Sequence, residues 1–181
     1  MRREVILVDE NDIEVGIMEK MEAHQKGLLH RAISVFIFNK KGEMLLQQRA
    51  TSKYHSGSLW SNACCSHPAP HESTIDAAHR RLQEEMGFDT TLQFAFSFVY
   101  KTEFDNGITE YEFDHVFAGV YEGAIKPDPQ EVKDYCFMKI DAIKESMAQH
   151  QHKYSSWFNI AFPKIEEFHK FHQLSLSIHA A

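Results

Sequence analysis

Ser66-His67-Pro68-Ala69-Pro70-His71-Glu72-Ser73-Thr74-Ile75-Asp76-Ala77-Ala78-His79-Arg80-Arg81-Leu82-Gln83-Glu84-Glu85-Met86-Gly87-Phe88 is the stretch on which the reading of this chain turns. Residues 73–86 place Ile75, Ala78 and Leu82 at helical spacing behind Ser73, a good N-cap, and Gly87 follows as the residue that ends the helix in a left-handed turn. Arg81 and Glu85 lie one turn apart on that helix, either as an ion pair on a solvated face or as part of an acidic site. Just upstream stands Trp60-Ser61-Asn62-Ala63-Cys64-Cys65-Ser66-His67-Pro68. If residues 61–67 are extended, the two-residue period puts Ala63, Cys65 and His67 on one face and Cys64 on the other. Cys65 and His67 then share a pocket. They are a thiol beside a metal-binding or acid–base imidazole, or else a small buried hydrophobe beside a hydrogen-bonded histidine.

Outward from this segment, residues 4–8 and 31–38 have strand composition, and the second run passes through Asn39-Lys40-Lys41-Gly42 into 43–49 as a hairpin. Runs 92–103 and 109–121 flank Asp105-Asn106-Gly107 and predict a second hairpin. Beyond Pro127 and Pro129 come a strand near 131–138, a helix at about 140–149, and an apolar-faced region, 154–172, that Pro163 splits or kinks. This mixed order predicts an α/β fold with a sheet covered on both faces. Without linkers or repeats, residues 1–181 read as one domain: an N-terminal arm to about 30, a core over about 31–138, and C-terminal helices over about 139–181. In strand 109–118, Glu110, Glu112 and Asp114 face one way and Tyr111, Phe113 and Phe117 the other. The acidic row is either the solvent side of an edge strand or a cavity wall where carboxylates hold a cation, for which Glu110 and Glu112 suffice.

The chain has 181 residues, 43% hydrophobic and 25% charged, enough for a real core. Lys plus Arg total 19 against 26 Asp plus Glu, a net charge of −7, which disfavours nucleic acid and anionic membrane surfaces and requires any anionic ligand to meet a local basic cluster. Apolar runs such as Ile33 to Phe38 are too short to span a bilayer, and Met1-Arg2-Arg3-Glu4 soon meets Asp9, Glu10 and Asp12 rather than a signal-peptide core. Cys64, Cys65 and Cys136 make no disulfide framework, so a cytoplasmic protein is expected. Of the twelve histidines, His150, His152, His169, His172 and His179 match no motif.

The 66–88 stretch resembles the Nudix box, G-x5-E-x7-R-E-U-x-E-E-x-G-U, with Glu72, Arg80, Leu82, Glu84, Glu85, Gly87 and Phe88 in register, Ser66 at its first Gly and Arg81 at its middle Glu. With Lys20 to His24, Leu28 to Arg31, Arg49 to Lys53, Trp60 to Pro68, Tyr100, Glu110-x-Glu112 and Ser156-Trp157, the whole chain resembles the type I isopentenyl diphosphate isomerases of that superfamily. The resemblance implies a Nudix-like α/β/α sandwich around a mixed sheet. It implies conversion of isopentenyl to dimethylallyl diphosphate in isoprenoid biosynthesis, with a small-molecule diphosphate as the binding partner. It also implies a metal site of His24, His30, His67, Glu110 and Glu112, and a catalytic pair of Cys65 and Glu112, in an order left open, with Tyr100. Imidazoles with carboxylates suit Mn²⁺, Zn²⁺ or Fe²⁺ better than Mg²⁺. Mg²⁺ is implied at Glu85 with the diphosphate, whose oxygens meet Lys20, Arg49, Lys53 and Arg81, while Trp60 and Trp157 offer aromatic faces to a carbocation. Arg81 replaces an acid that hydrolysing members use. The alternatives are a Nudix hydrolase of nucleoside or other diphosphates and a non-catalytic metal or thiol module.

Overall fold

The computed structural model describes residues 4–53 and 55–179, with 173–179 as backbone only, so that the side chain of His179 lies outside the described residues. In chain order the elements are β1 (Glu4–Val8), β2 (Glu14–Glu19), α1 (Lys20–Lys26), β3 (His30–Phe38), β4 (Met44–Arg49), β5 (Trp60–Ser61), β6 (Cys64–Ser66), α2 (Thr74–Met86), β7 (Leu92–Glu103), β8 (Thr109–Val120), β9 (Val132–Met138), α3 (Ile140–His150), a 3₁₀ turn (Gln151–Lys153) and α4 (Ser156–His179). Strand β3 is the axis, because residues of both its faces are apolar and find cover. Ile33, Val35 and Ile37 pack with Leu45, Cys64, Ala78, Leu82 and Met86 beneath α2. Phe36 and Phe38 pack with Met44, Leu46, Trp157, Phe158 and Ile165 beneath the C-terminal helices. The result is a mixed sheet with helices on both faces, as expected.

Around β3 the pairing is mixed. Strand β8 lies parallel to it, His30 opposite Glu112 through to Phe38 opposite Val120. Strand β6 lies antiparallel, with Ser34 opposite Cys65. The expected 92–121 hairpin forms as β7 and β8. The expected hairpin through residues 39–42 is little more than its turn, since β3 and β4 pair only at Phe38 and Met44. After that the strands part, β3 going to β6 and β8, and β4 to β5 and β9. This divergence leaves the space in which a site can sit.

Two further expectations are corrected. Ala63 does not share a face with Cys65: it packs with Cys64 under α2, because β6 begins only at Cys64 and a bend at Ala63 interrupts the alternation. Pro163 does not split the C-terminal helix, since α4 continues through it. Apolar anchors on both sides, Trp157 and Phe158 before and Ile165 after, hold the helix to the core across the missing hydrogen bond. The arm before β3 also contains β2 and α1, which no periodicity announced. Helix α2 is capped as read, with Ser73 accepting from the Asp76 amide. Gly87 (φ +74°) must be glycine, because a Cβ there would lie 2.2 Å from the Lys126 carbonyl oxygen. Among the described residues, no helix is long and apolar enough to cross a membrane.

Candidate active site and metal centre

A cavity of about 870 Å³ lies among residues of β4, β6, β8 and α2, lined by Lys20, Arg49, Lys53, Cys65, His67, Arg81, Glu85, Tyr100, Glu110, Glu112 and Trp157. At its floor His24, His30, His67, Glu110 and Glu112 each offer a ligand atom, and these atoms lie within 4.8 Å of one another. Four elements supply them. Helix α1 brings His24, closed by the left-handed Gly27 that turns the chain into β3 and His30. The end of β6 leads into His67, and β8 alternates Glu110 and Glu112 inward. His24 Nδ1 lies 2.6 Å from the Lys20 carbonyl oxygen and His30 Nδ1 2.8 Å from that of Leu28. A carbonyl can only accept, so each Nδ1 carries a proton and each Nε2 is the nitrogen turned toward the cluster, where it can serve as a metal ligand once deprotonated. His24 Nε2 faces Glu110 Oε1 at 3.3 Å, and His67 Nε2 lies 2.8 Å from Glu112 Oε1 and 3.2 Å from His30 Nε2. Burial, with the charges of Lys20, His30 and His24, pushes His67 well below the usual histidine range and keeps it neutral. Three inward imidazoles and two carboxylates form a donor set that fits a divalent transition metal.

Glu112 is divided between two tasks. Its Oε1 faces the histidines, and its Oε2 accepts a 2.6 Å hydrogen bond from the Tyr100 hydroxyl. Burial alone would raise this carboxyl, but hydrogen bonds and charge from His30, with further bonds including that from Tyr100, lower it to about 2. Cys65, on the other side of β3, has the opposite balance. Burial and the nearby Asp114 push the thiol up to about 12 despite hydrogen bonds with Ser34 and Asn62. The thiol donates to Asn62 Oδ1 at 3.0 Å and lies 3.4 Å from Ser34 Oγ, which itself donates to Asp114 Oδ2 at 2.7 Å. The site therefore contains one protonated thiol and one ionised carboxylate on the two strands that flank β3.

The other end of the cavity is cationic. Arg81 donates to Glu85 Oε1 at 2.6 Å and also pairs with Glu84, while Glu131 accepts from Lys53 and lies 3.6 Å from Arg81. Ser66, at the position of the box's first Gly, lies in β6 opposite Ile33 and has no positive φ, so glycine is not required there. Arg49 sits over the Trp157 ring at 5.0 Å, and the Trp157 indole donates to Ser61 Oγ at 2.9 Å. Trp60 is placed differently: it packs against the cluster beneath the C-terminal helices and is not among the residues lining the cavity. Sequence reading missed His55, Glu131, Ser34 and Asn62. Ser34 carried a signal, since beyond His30 it is the one polar residue on the strand face it shares with Ala32, Phe36 and Phe38.

The NUDIX domain model matches residues 28–158. The isopentenyl-diphosphate Delta-isomerase of Pectobacterium atrosepticum is 51% identical over 165 residues, covering 91% of this chain and 92% of that protein. That of Burkholderia multivorans is 46% identical, covering 88% and 90%. Among solved structures, the MutT protein of Methanosarcina mazei superposes with a TM-score of 0.64 at 18% identity, over 80% of this chain and 95% of that one. The MutT NUDIX hydrolase of Burkholderia pseudomallei does so at 0.61 and 15%, over 76% and 98%. The structural likenesses share the fold alone, whereas identity of about half along nearly the full length, on top of that fold, shows that this chain belongs to the isopentenyl-diphosphate Delta-isomerase family.

Proposed function

We propose that this chain converts isopentenyl diphosphate to dimethylallyl diphosphate, in the cytoplasm, as a step of isoprenoid biosynthesis. The observation that carries the reading is the presence of Cys65 and Glu112 in one cavity, on β6 and β8, with β3 between them. Shifting the double bond adds a proton at the terminal alkene carbon and removes one from the carbon nearer the diphosphate. An unactivated alkene is a poor base, so two groups placed on opposite sides of the substrate serve it better than one that must change position. Cys65 and Glu112 are that pair, and Tyr100 holds the oxygen of Glu112 that the histidines leave available. A divalent ion such as Mn²⁺ or Zn²⁺, held by His24, His30, His67, Glu110 and Glu112, supplies positive charge that fixes the orientation and proton affinity of Glu112.

The substrate's diphosphate is met by Lys20, Arg49, Lys53 and Arg81, all of which line the cavity. Glu85 takes Mg²⁺ together with the diphosphate. One carboxylate already paired with Arg81 is a weak site until phosphate oxygens complete it, which matches the way Mg²⁺ is usually held. The Trp157 and Tyr100 rings, buried and facing the cavity, stabilise the tertiary cation, and enclosure by the C-terminal helix keeps out water that would trap it as an alcohol. Against hydrolysis stands Arg81, which ties up Glu84 and Glu85 in ion pairs where a hydrolytic cluster needs another acid. The free thiols Cys64, Cys65 and Cys136 support a reducing, cytoplasmic setting. The test is incubation of purified protein with isopentenyl diphosphate, Mg²⁺ and Mn²⁺. Formation of the acid-labile allylic diphosphate without phosphate release is expected. Phosphate release from nucleoside diphosphates, with isopentenyl diphosphate untouched, would make the hydrolase reading primary.

A further inference from the structure

We infer that His55 is a positioning residue for Glu110, aiming that carboxylate at the metal cluster; the inference rests on the metal reading proposed above. His55 lies in the turn between β4 and β5, where an imidazole is ordinarily solvated, yet it is only 8% exposed. Its Nε2 lies 2.7 Å from Glu110 Oε1, nearer than His24 Nε2 at 3.3 Å. It is not one of the five clustered ligand residues, so it approaches Glu110 from outside them.

The ring is held on several sides. It lies 5.0 Å from the Phe104 ring and meets the Trp157 ring edge-on at 5.8 Å. Ser56 Oγ lies 3.2 Å from Nδ1, and a hydroxyl donating there leaves the ring proton on Nε2, where it points at Glu110. The backbone carrying the ring is equally constrained. Ser56 and Ser58 have φ of 51° and 64°, and a Cβ on Gly57 would lie 2.8 Å from the Thr51 carbonyl oxygen. Left-handed backbone at two serines persists only where the surroundings enforce it, which marks this turn as built to hold what it carries. His55 and His24 address the same oxygen, Oε1, so an N–H from His55 behind it fixes the direction in which the carboxylate faces His24 and the cluster, the usual duty of residues behind a metal ligand.

The test is Mn²⁺ affinity of the full chain without substrate, measured by competition with a chromogenic chelator. His55→Phe keeps an aromatic ring against Phe104 and Trp157 but removes the hydrogen bond, whereas His55→Gln keeps an N–H donor. His55→Phe is expected to weaken Mn²⁺ binding about 10- to 100-fold, and His55→Gln to recover most of that loss, with both variants matching wild type in metal-free circular dichroism. If His55→Phe does not fold, His55→Ala replaces it in the comparison with His55→Gln. Equal affinity in wild type and His55→Phe, or equal loss in both variants, overturns the role of His55 and leaves the metal site standing. Failure of the wild type to bind either Mn²⁺ or Zn²⁺ overturns both.

Discussion

Tyr100→Phe removes one oxygen atom from the site and little else. That oxygen lies 2.6 Å from Glu112 Oε2, both residues are buried, and the ring that remains keeps its stack on Phe98 at 5.6 Å. A hydrogen bond to a charged group contributes about 1.5–3 kcal/mol, and about 1.4 kcal/mol is tenfold in rate. If the bond persists into the transition state, kcat falls about 10- to 100-fold. The other oxygen of Glu112 still faces His67 and His30, so metal retention should change far less than turnover. The same bond is among the interactions that hold the Glu112 carboxyl down at about 2, so its loss shifts that group upward. Steady-state kinetics on the variant, with metal content measured on the same sample, separate these effects. An unchanged kcat, a loss confined to KM, or loss of metal in proportion to activity would each refute the division of labour assigned to the two oxygens of Glu112.

Cys65→Ala and Glu112→Gln should each abolish isomerisation with the fold intact by circular dichroism. Cys64→Ala should keep activity and lose about 1 kcal/mol of stability, because Cys64 is fully buried beneath α2 rather than in the cavity; an essential Cys64 would mean that the register of β6 is wrong. Glu85→Gln should raise the Mg²⁺ concentration needed for activity while elemental analysis still finds the tight ion, and loss of both together would sink the separation of the two sites. Glu72 accepts from Arg80 Nε at 2.6 Å, from Arg80 Nη2 at 2.8 Å and from the Ala69 amide at 2.7 Å, which ties the loop before α2 to the helix. Its carboxyl is lowered from 4.5, chiefly by the Arg80 bond, so its contribution is complete above pH 4.5 and is lost as pH falls through the folded-state value. Glu72→Gln should therefore cost about 1 kcal/mol near neutrality, at the low end because Arg80 is partly exposed. The gap in Tm between variant and wild type should close on acidification, and a gap that stays constant would show that ionisation is not its source.

Helix α2 and the shared face of Glu110 and Glu112 were legible because local rules govern them, whereas the same rules left open whether that face met solvent or a cavity. Ser73 and Gly87 mark the helix ends, and a two-residue period assigns the faces of β8. The cavity was not legible in the same way, because it depends on β3 and β4 parting after a single pair, a choice made by their outer neighbours β6, β8, β5 and β9. Helix α1 is seven residues long and mostly polar, so it carries no periodicity, yet it buries His24 completely. His55 lies in a turn, where neither period applies and where polar residues are normally solvent groups. Pro163 misled for a related reason: local breakage was overruled by apolar contacts on both sides of it. Family resemblance bridged several of these gaps. Lys20 and His24 were named through it, whereas His55 and Glu131 stood outside the residues that carried the resemblance.

The central claim, that two different groups on opposite sides of the substrate handle the two protons, is tested by running the first turnover in D₂O after the enzyme has equilibrated there, and reading the dimethylallyl product by NMR. If Cys65 and Glu112 act from β6 and β8, the proton taken from the substrate remains on one group while the other delivers a solvent-derived deuteron. The product should then carry one deuterium in its newly formed methyl group. An unlabelled methyl group would mean that a single group carries the same proton across one face, which would contradict the pairing of Cys65 with Glu112.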